Sequence, residues 1–240
     1  LTSTTFLPSL SRYFFILALS FMQNYVFLRS FQPRNMKRAI LMYLCIAWVL
    51  MSSTTAVSSA QTVPSRYTFD TDFLMLRNTI DPDFRHHYDD WTQYAPAAVM
   101  VGLKACGYKG RSTWGRMLVS DAFSVAAMAA MVNGVKYSVQ RLRPDESASN
   151  SFPSGHTATA FMTATMLHKE YEGRSPWFGI GGYTLAALTG VSRVLNNRHW
   201  LTDVMAGAAI GIGSVHLGYF ITDKIFKDRQ LNPAYEVPEL

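Results

Sequence analysis

Charge is scarce in this chain and cysteine is nearly absent. Only 16% of the 240 residues are charged, and the 22 Lys and Arg that outnumber 16 Asp and Glu are scattered in short clusters. There is no long basic run and no basic stripe interleaved with aromatics, which excludes nucleic acid as a partner. Of the two cysteines, Cys45 falls in a segment expected to be removed, so Cys106 stands alone and the mature chain forms no internal disulfide. The apolar/polar alternation of a half-buried strand is nowhere sustained, and no repeat or low-complexity tract occurs. That leaves an all-α helical bundle. Also missing is a set of His, Cys, Asp or Glu at metal-ligand spacing: Arg85-His86-His87, His168 and His216 read as surface or packing residues. No metal and no other cofactor is expected.

What is abundant is apolar. Hydrophobic residues make up 49% of the chain, and a mean hydropathy of +0.05 lies between a soluble enzyme and a polytopic membrane protein. Residues 36–60 have the order of a cleaved signal peptide: Lys37 and Arg38, an apolar stretch from Ala39 to Met51, then Ser58 and Ala60 before Gln61. Residues 1–35 read as an upstream extension outside the fold. Residues 61–93 form a polar periplasmic lead-in, where Phe69, Phe73, Leu74 and Leu76 share one side of a short helix broken near Asp81-Pro82, as in a lid or membrane-surface segment.

The domain proper is expected over 94–226, with 227–240 as a tail. Five apolar helices are expected in it, at about 94–106, 116–139, 156–170, 177–194 and 200–223. With the mature N-terminus outside, five crossings put Lys109, Arg111, Arg116, Lys169, Arg174, Lys224, Lys227 and Arg229 on the cytoplasmic side. That is the positive-inside pattern. Several of the helices fall short of the ~20 apolar residues of a clean span, so a soluble exported bundle stays open as the alternative.

Polar residues gather at the other helix ends in three clusters. "KYSVQRLRP" carries Lys136 and, seven positions on, Arg143 before a proline. "PSGH" opens the third helix with Ser154, Gly155 and His156. Arg193 closes the fourth, and His199 and Asp203, four apart, open the fifth and share a helix face. Lys136, Arg143 and Arg193 supply cations and guanidinium forks suited to phosphate oxygens, and Ser154 with the amides of Gly155 and His156 adds donors at a helix N-terminus. A neutral His199 can attack phosphorus while Asp203 orients it. His156 is placed to protonate the leaving oxygen and later to activate water.

The pattern of Lys136 with Arg143-Pro144, then Pro153-Ser154-Gly155-His156, then Ser192-Arg193 with His199 and Asp203 resembles the tripartite signature of the type 2 phosphatidic acid phosphatase superfamily. That group also holds bacterial acid phosphatases and vanadium haloperoxidases. The resemblance covers 136–203 closely and implies the roles just argued, in a metal-independent phosphatase with a phosphohistidine intermediate. The expected substrate is a phosphorylated lipid (phosphatidate, an isoprenoid pyrophosphate or a lipid A type), met on the periplasmic side of the inner membrane. The alternative is a soluble periplasmic acid phosphatase of broad specificity.

Overall fold

The computed structural model describes residues 69–227 and 229–232. The expected extension and signal peptide lie outside them. Among the described residues there are seven helices and no strand: α1 (Phe69–Ile80), α2 (Asp89–Thr92), α3 (Ala95–Ala105), α4 (Trp114–Val139), α5 (Gly155–Tyr171), α6 (Pro176–Leu195) and α7 (Leu201–Phe226). Local chemistry sets their ends. Ser154 caps α5, its Oγ accepting from the Thr157 amide and hydroxyl at 3.4 and 2.9 Å. Ser175 caps α6 ahead of Pro176, and the Asp203 carboxylate accepts from the Trp200 amide at 2.9 Å to close the first turn of α7.

Helix α5 is the centre, buried around most of its circumference and packed by α6, α7 and α3, while α7 also packs along α4. The main core joins Met100, Met117, Met162, Met166, Leu167, Tyr171, Val215 and Tyr219. Close approach of α5 and α7 depends on missing side chains: a Cβ on Gly211 would run into the Ala158 carbonyl, and one on Gly207 into the Ser154 carbonyl. The second contact sits one turn past Asp203, so it fixes the spacing between the start of α7 and the turn that opens α5.

Of the five expected crossings, two helices are long and apolar enough to span a membrane, α4 and α7, each of 26 residues. Their most apolar stretches are only 17% and 39% buried, so most of that apolar surface faces outward, with Leu118, Phe123, Val125, Met205, Leu217 and Ile225 exposed. Helix α3, with 11 residues, is shorter than a span needs, and α5, with 17, lies at the lower limit of one.

The lead-in expected as a lid is tied down. Asp70 of α1 accepts from the Thr202 amide and hydroxyl at 3.0 and 2.7 Å, and Arg77 donates to the Leu195 carbonyl at 2.8 Å. The start of the tail is tied down as well. Asn232 donates its amide to the Arg111 carbonyl at 2.9 Å, and Leu231 pairs with Ser112.

Candidate active site

The C-terminal ends of α4 and α6, the N-terminal ends of α5 and α7 and the loops that join them lie at one end of the bundle and carry all eight expected site residues, with Arg143 and His199 in the loops. The loop between α4 and α5 knits them together. Its Ser154 amide donates to the Asp203 carbonyl at 3.0 Å, and its Asn150 carbonyl accepts from Lys136 Nζ at 2.6 Å.

His199 is almost fully buried, and its Nδ1 lies 2.8 Å from the Ser151 carbonyl oxygen. A carbonyl only accepts, so Nδ1 carries the hydrogen and Nε2 keeps its lone pair. Asp203 was expected to hold this nitrogen directly, but its Oδ2 is 3.6 Å away. The fully buried carboxylate accepts instead from Ser151 Oγ and from Arg141 Nη1, the latter at 2.9 Å. Ser151 therefore stands between the two, taking the imidazole hydrogen on its carbonyl and giving its hydroxyl hydrogen to the carboxylate. Burial pushes the His199 imidazole below its ordinary value; Arg193 and Lys136 push the same way while Asp203 pulls against them. The ring is accordingly neutral around pH 7.

The three cations differ in what holds them. Arg193, 8% exposed, donates Nη1 to Asp89 Oδ2, and its Nε has no partner. Lys136 is half-buried with the Asn150 carbonyl as its hydrogen-bond acceptor. The half-buried Arg143 guanidinium makes no hydrogen bond or ion pair among the described residues, and its Nε is buried. Burial holds Arg143 below its ordinary value, and repulsion from Arg198 and Arg193 adds to this against the pull of Asp145 and Asp203. Unspent donors on mutually repelling cations suit an anion of several oxygens. Gly155 leaves room beside the α5 N-terminus, since a Cβ there would meet nothing within 4 Å.

Residues 118–227 match the family model of the PAP2 superfamily. The chain carries a PAP2 superfamily domain. Over 163 residues it is 52% identical to the lipid A 1-phosphatase of Porphyromonas gingivalis, an overlap of 68% of this chain and 37% of that protein. It is 29% identical over 148 residues to phosphatidylglycerophosphatase B of Bacillus subtilis, covering 56% of this chain and 70% of the relative. The crystal structure of the first transmembrane PAP2 type phosphatidylglycerolphosphate phosphatase from Bacillus subtilis shares the fold, with a TM-score of 0.54, 21% identity and coverage of 78% of this chain and 98% of that one. The chain thus spans little more than a third of the Porphyromonas relative's length.

The PAP2 match starts after α1 and α2, yet both helices reach the site. Arg141 bridges Asp203 to Asp70 of α1, at 2.9 and 2.7 Å, and stacks over Trp200 at 5.2 Å. From α2, Asp89 takes Arg193, and Asp90 Oδ1 lies 2.8 Å from His156 Nε2. Sequence spacing had shown no carboxylate–histidine cluster, because these partners are 66 and 104 positions apart. Folding corrects that expectation: ligand atoms of Asp89, Asp90 and His156 come within 4.8 Å of one another. The Asp89 carboxylate there is engaged by Arg193 at one oxygen and faces Asn196 at the other. Of these additional residues, Arg141 lay within a quoted motif and Ser151 two positions before another; Asp70, Asp89 and Asp90 carried no local signal.

Proposed function

We propose that this PAP2 chain is a metal-independent phosphatase of membrane lipids, acting through a phosphohistidine on His199. The observation that carries the reading is the His199 ring, fixed at Nδ1 by the Ser151 carbonyl with Nε2 free, beside cations whose donors are not used up by the protein. In the first step Nε2 attacks phosphorus and the bond from phosphorus to the lipid oxygen breaks. The leaving oxygen takes a proton from His156, so a lipid alcohol departs. In the second step water attacks the phosphohistidine, gives its proton back to His156 and breaks the N–P bond, releasing inorganic phosphate. Lys136, Arg143 and Arg193 with the Ser154–His156 turn hold the charge that builds on the phosphoryl oxygens, the main source of rate in such reactions.

The outward apolar faces of α4 and α7, and the membrane proteins among the relatives, support a membrane-embedded bundle of up to five crossings. The basic clusters at the far end support a site facing the periplasm. Similarity to a lipid A 1-phosphatase favours a lipid A type phosphate over phosphatidate or an isoprenoid pyrophosphate. The test is a panel of these lipids with purified protein in detergent, followed by trapping of labelled phosphate on the protein with an alkaline detergent quench. Wild type should turn over at least one lipid with or without EDTA and give an acid-labile phosphoenzyme. His199→Ala should lose both turnover and label. Label in His199→Ala, or activity that EDTA abolishes and metal restores, would discard the scheme.

A further inference from the structure

The two acidic residues of α2 divide their work. Asp89 is fully buried on Arg193, whereas the neighbouring Asp90 is exposed at the mouth with its Oδ1 2.8 Å from His156 Nε2. Helix α2 is held where this contact requires it. Thr92 Oγ1 meets Thr189 Oγ1 of α6 at 3.0 Å, and the Gln93 carbonyl accepts from Thr163 of α5 at 2.8 Å. The Gln93 side chain donates to the Asp90 carbonyl at 3.0 Å, and His87 flanks the carboxylate at 3.8 Å. The hydrogen bond with His156 holds the Asp90 carboxyl below its ordinary value despite a small opposing effect of burial. An ionised carboxylate accepts, so His156 Nε2 carries a hydrogen and Nδ1 is the nitrogen left for a proton transfer.

We propose that Asp90 is the positioning residue of the acid/base histidine, giving the site a second Asp–His pair in which Asp90 fixes Nε2–H and leaves His156 Nδ1 to move the proton. The inference rests on His156 having the acid/base role. In the first half-reaction the imidazolium gives its Nδ1 proton to the leaving oxygen as the P–O bond breaks, and remains a neutral ring with Nε2–H on Asp90. In the second half, Nδ1 takes a proton from water as the new P–O bond forms and N–P breaks. The charge of Asp90 stabilises the imidazolium on both occasions. This pair differs from that of His199, whose Nδ1 hydrogen is held by a backbone carbonyl while the Asp203 carboxylate stands 3.6 Å away.

The experiment compares dodecyl phosphate, a poor leaving group, with p-nitrophenyl phosphate, a good one, by quench-flow trapping in wild type, Asp90→Asn and Asp90→Glu. Asp90→Asn should slow phosphoenzyme formation ~10-fold or more with dodecyl phosphate and less than ~3-fold with p-nitrophenyl phosphate. Its phosphoenzyme should persist with either substrate, because water activation is impaired, and Asp90→Glu should recover part of the rate. Equal losses on the two substrates would overturn the proposal as a mere packing effect, and so would an unchanged rate with dodecyl phosphate. If wild type itself gave no phosphoenzyme, the phosphatase reading would fall first and this inference with it, a result separable from a defect confined to the variant.

Discussion

At the end of the bundle where α3 leads into α4, Arg116 is almost wholly buried and both its terminal nitrogens are engaged. Nη1 donates to the Lys227 and Arg229 carbonyls, each at 2.6 Å, and Nη2 to Asp223 at 2.6 Å. Arg111 joins it on the same carboxylate at 3.0 Å. At the opposite end Arg143 is half-buried, close to Arg193 and Arg198, and makes no hydrogen bond or ion pair among the described residues. The same side chain serves as a clasp where the chain supplies acceptors and as a receptor where it withholds them. Folding free energy is recovered at the first end and left unclaimed at the second, to be released on an incoming anion.

Exchanging the two arginines in turn should break this comparison most sharply. Arg143→Met should cut kcat/KM by ~10²–10³-fold, the usual worth of one charge-stabilising donor. Its melting temperature should stay level or rise, since repulsion with Arg198 and Arg193 is relieved. Arg116→Met should do the reverse, costing about 2–4 kcal/mol of stability, below the full value of a buried pair because Asp223 is partly exposed and keeps Arg111. Activity per folded molecule should be unchanged. Thermal melts in detergent and active-site titration by phosphoenzyme yield would check both. Loss of activity in both variants, or of stability in both, would erase the distinction between the ends.

A finer probe uses pH. His199 is held below its ordinary value, so its attacking neutral form survives as pH falls through that of free histidine, and the acid limb of phosphoenzyme formation should lie below ~6.5. Asp203→Asn removes a charge that favours the imidazolium and should move that limb to still lower pH. Arg193→Lys, which keeps a cation, should move it little. A limb that rose in Asp203→Asn would mean that His199 does not own it.

The five main helices were legible from the sequence to within about three residues at each end, because Ser154, Ser175-Pro176 and the breaks near Gln140 and Asn196 act locally. The eight motif residues were picked out by their spacing as a candidate site, and the fold places them at one end of the bundle. Three things were not. The four-residue α2 is too short to have a period, so Asp89 and Asp90 looked like loop acids. Asp70 reaches Thr202 across 132 positions, a distance at which residue type says nothing. Ser151 holds His199 by its backbone carbonyl, a group every residue has. The expectation that Asp203 would meet the imidazole came from i,i+4 spacing, and that spacing yields an ion-pair distance of 3.6 Å, while the hydrogen bond at Nδ1 goes to the Ser151 carbonyl.

Asp203 binds through its backbone carbonyl to Ser154 and through its carboxylate to Ser151, Trp200 and Arg141. The surroundings of His199 and the turn that opens α5 thus hang on one residue and cannot be inherited separately. Recombination that cut between 151–154 and 199–203 would give neither a weak phosphatase nor a bare anion binder, but a bundle whose α5 and α7 both begin badly. For a protein engineer the transferable part is therefore the whole α4–α5–α6–α7 unit with its loops, since Lys136 lies on α4. Residues 69–93 reach the site from outside that unit through Asp70, Asp89 and Asp90, so they must travel with it if Arg141, Arg193 and His156 are to keep their partners.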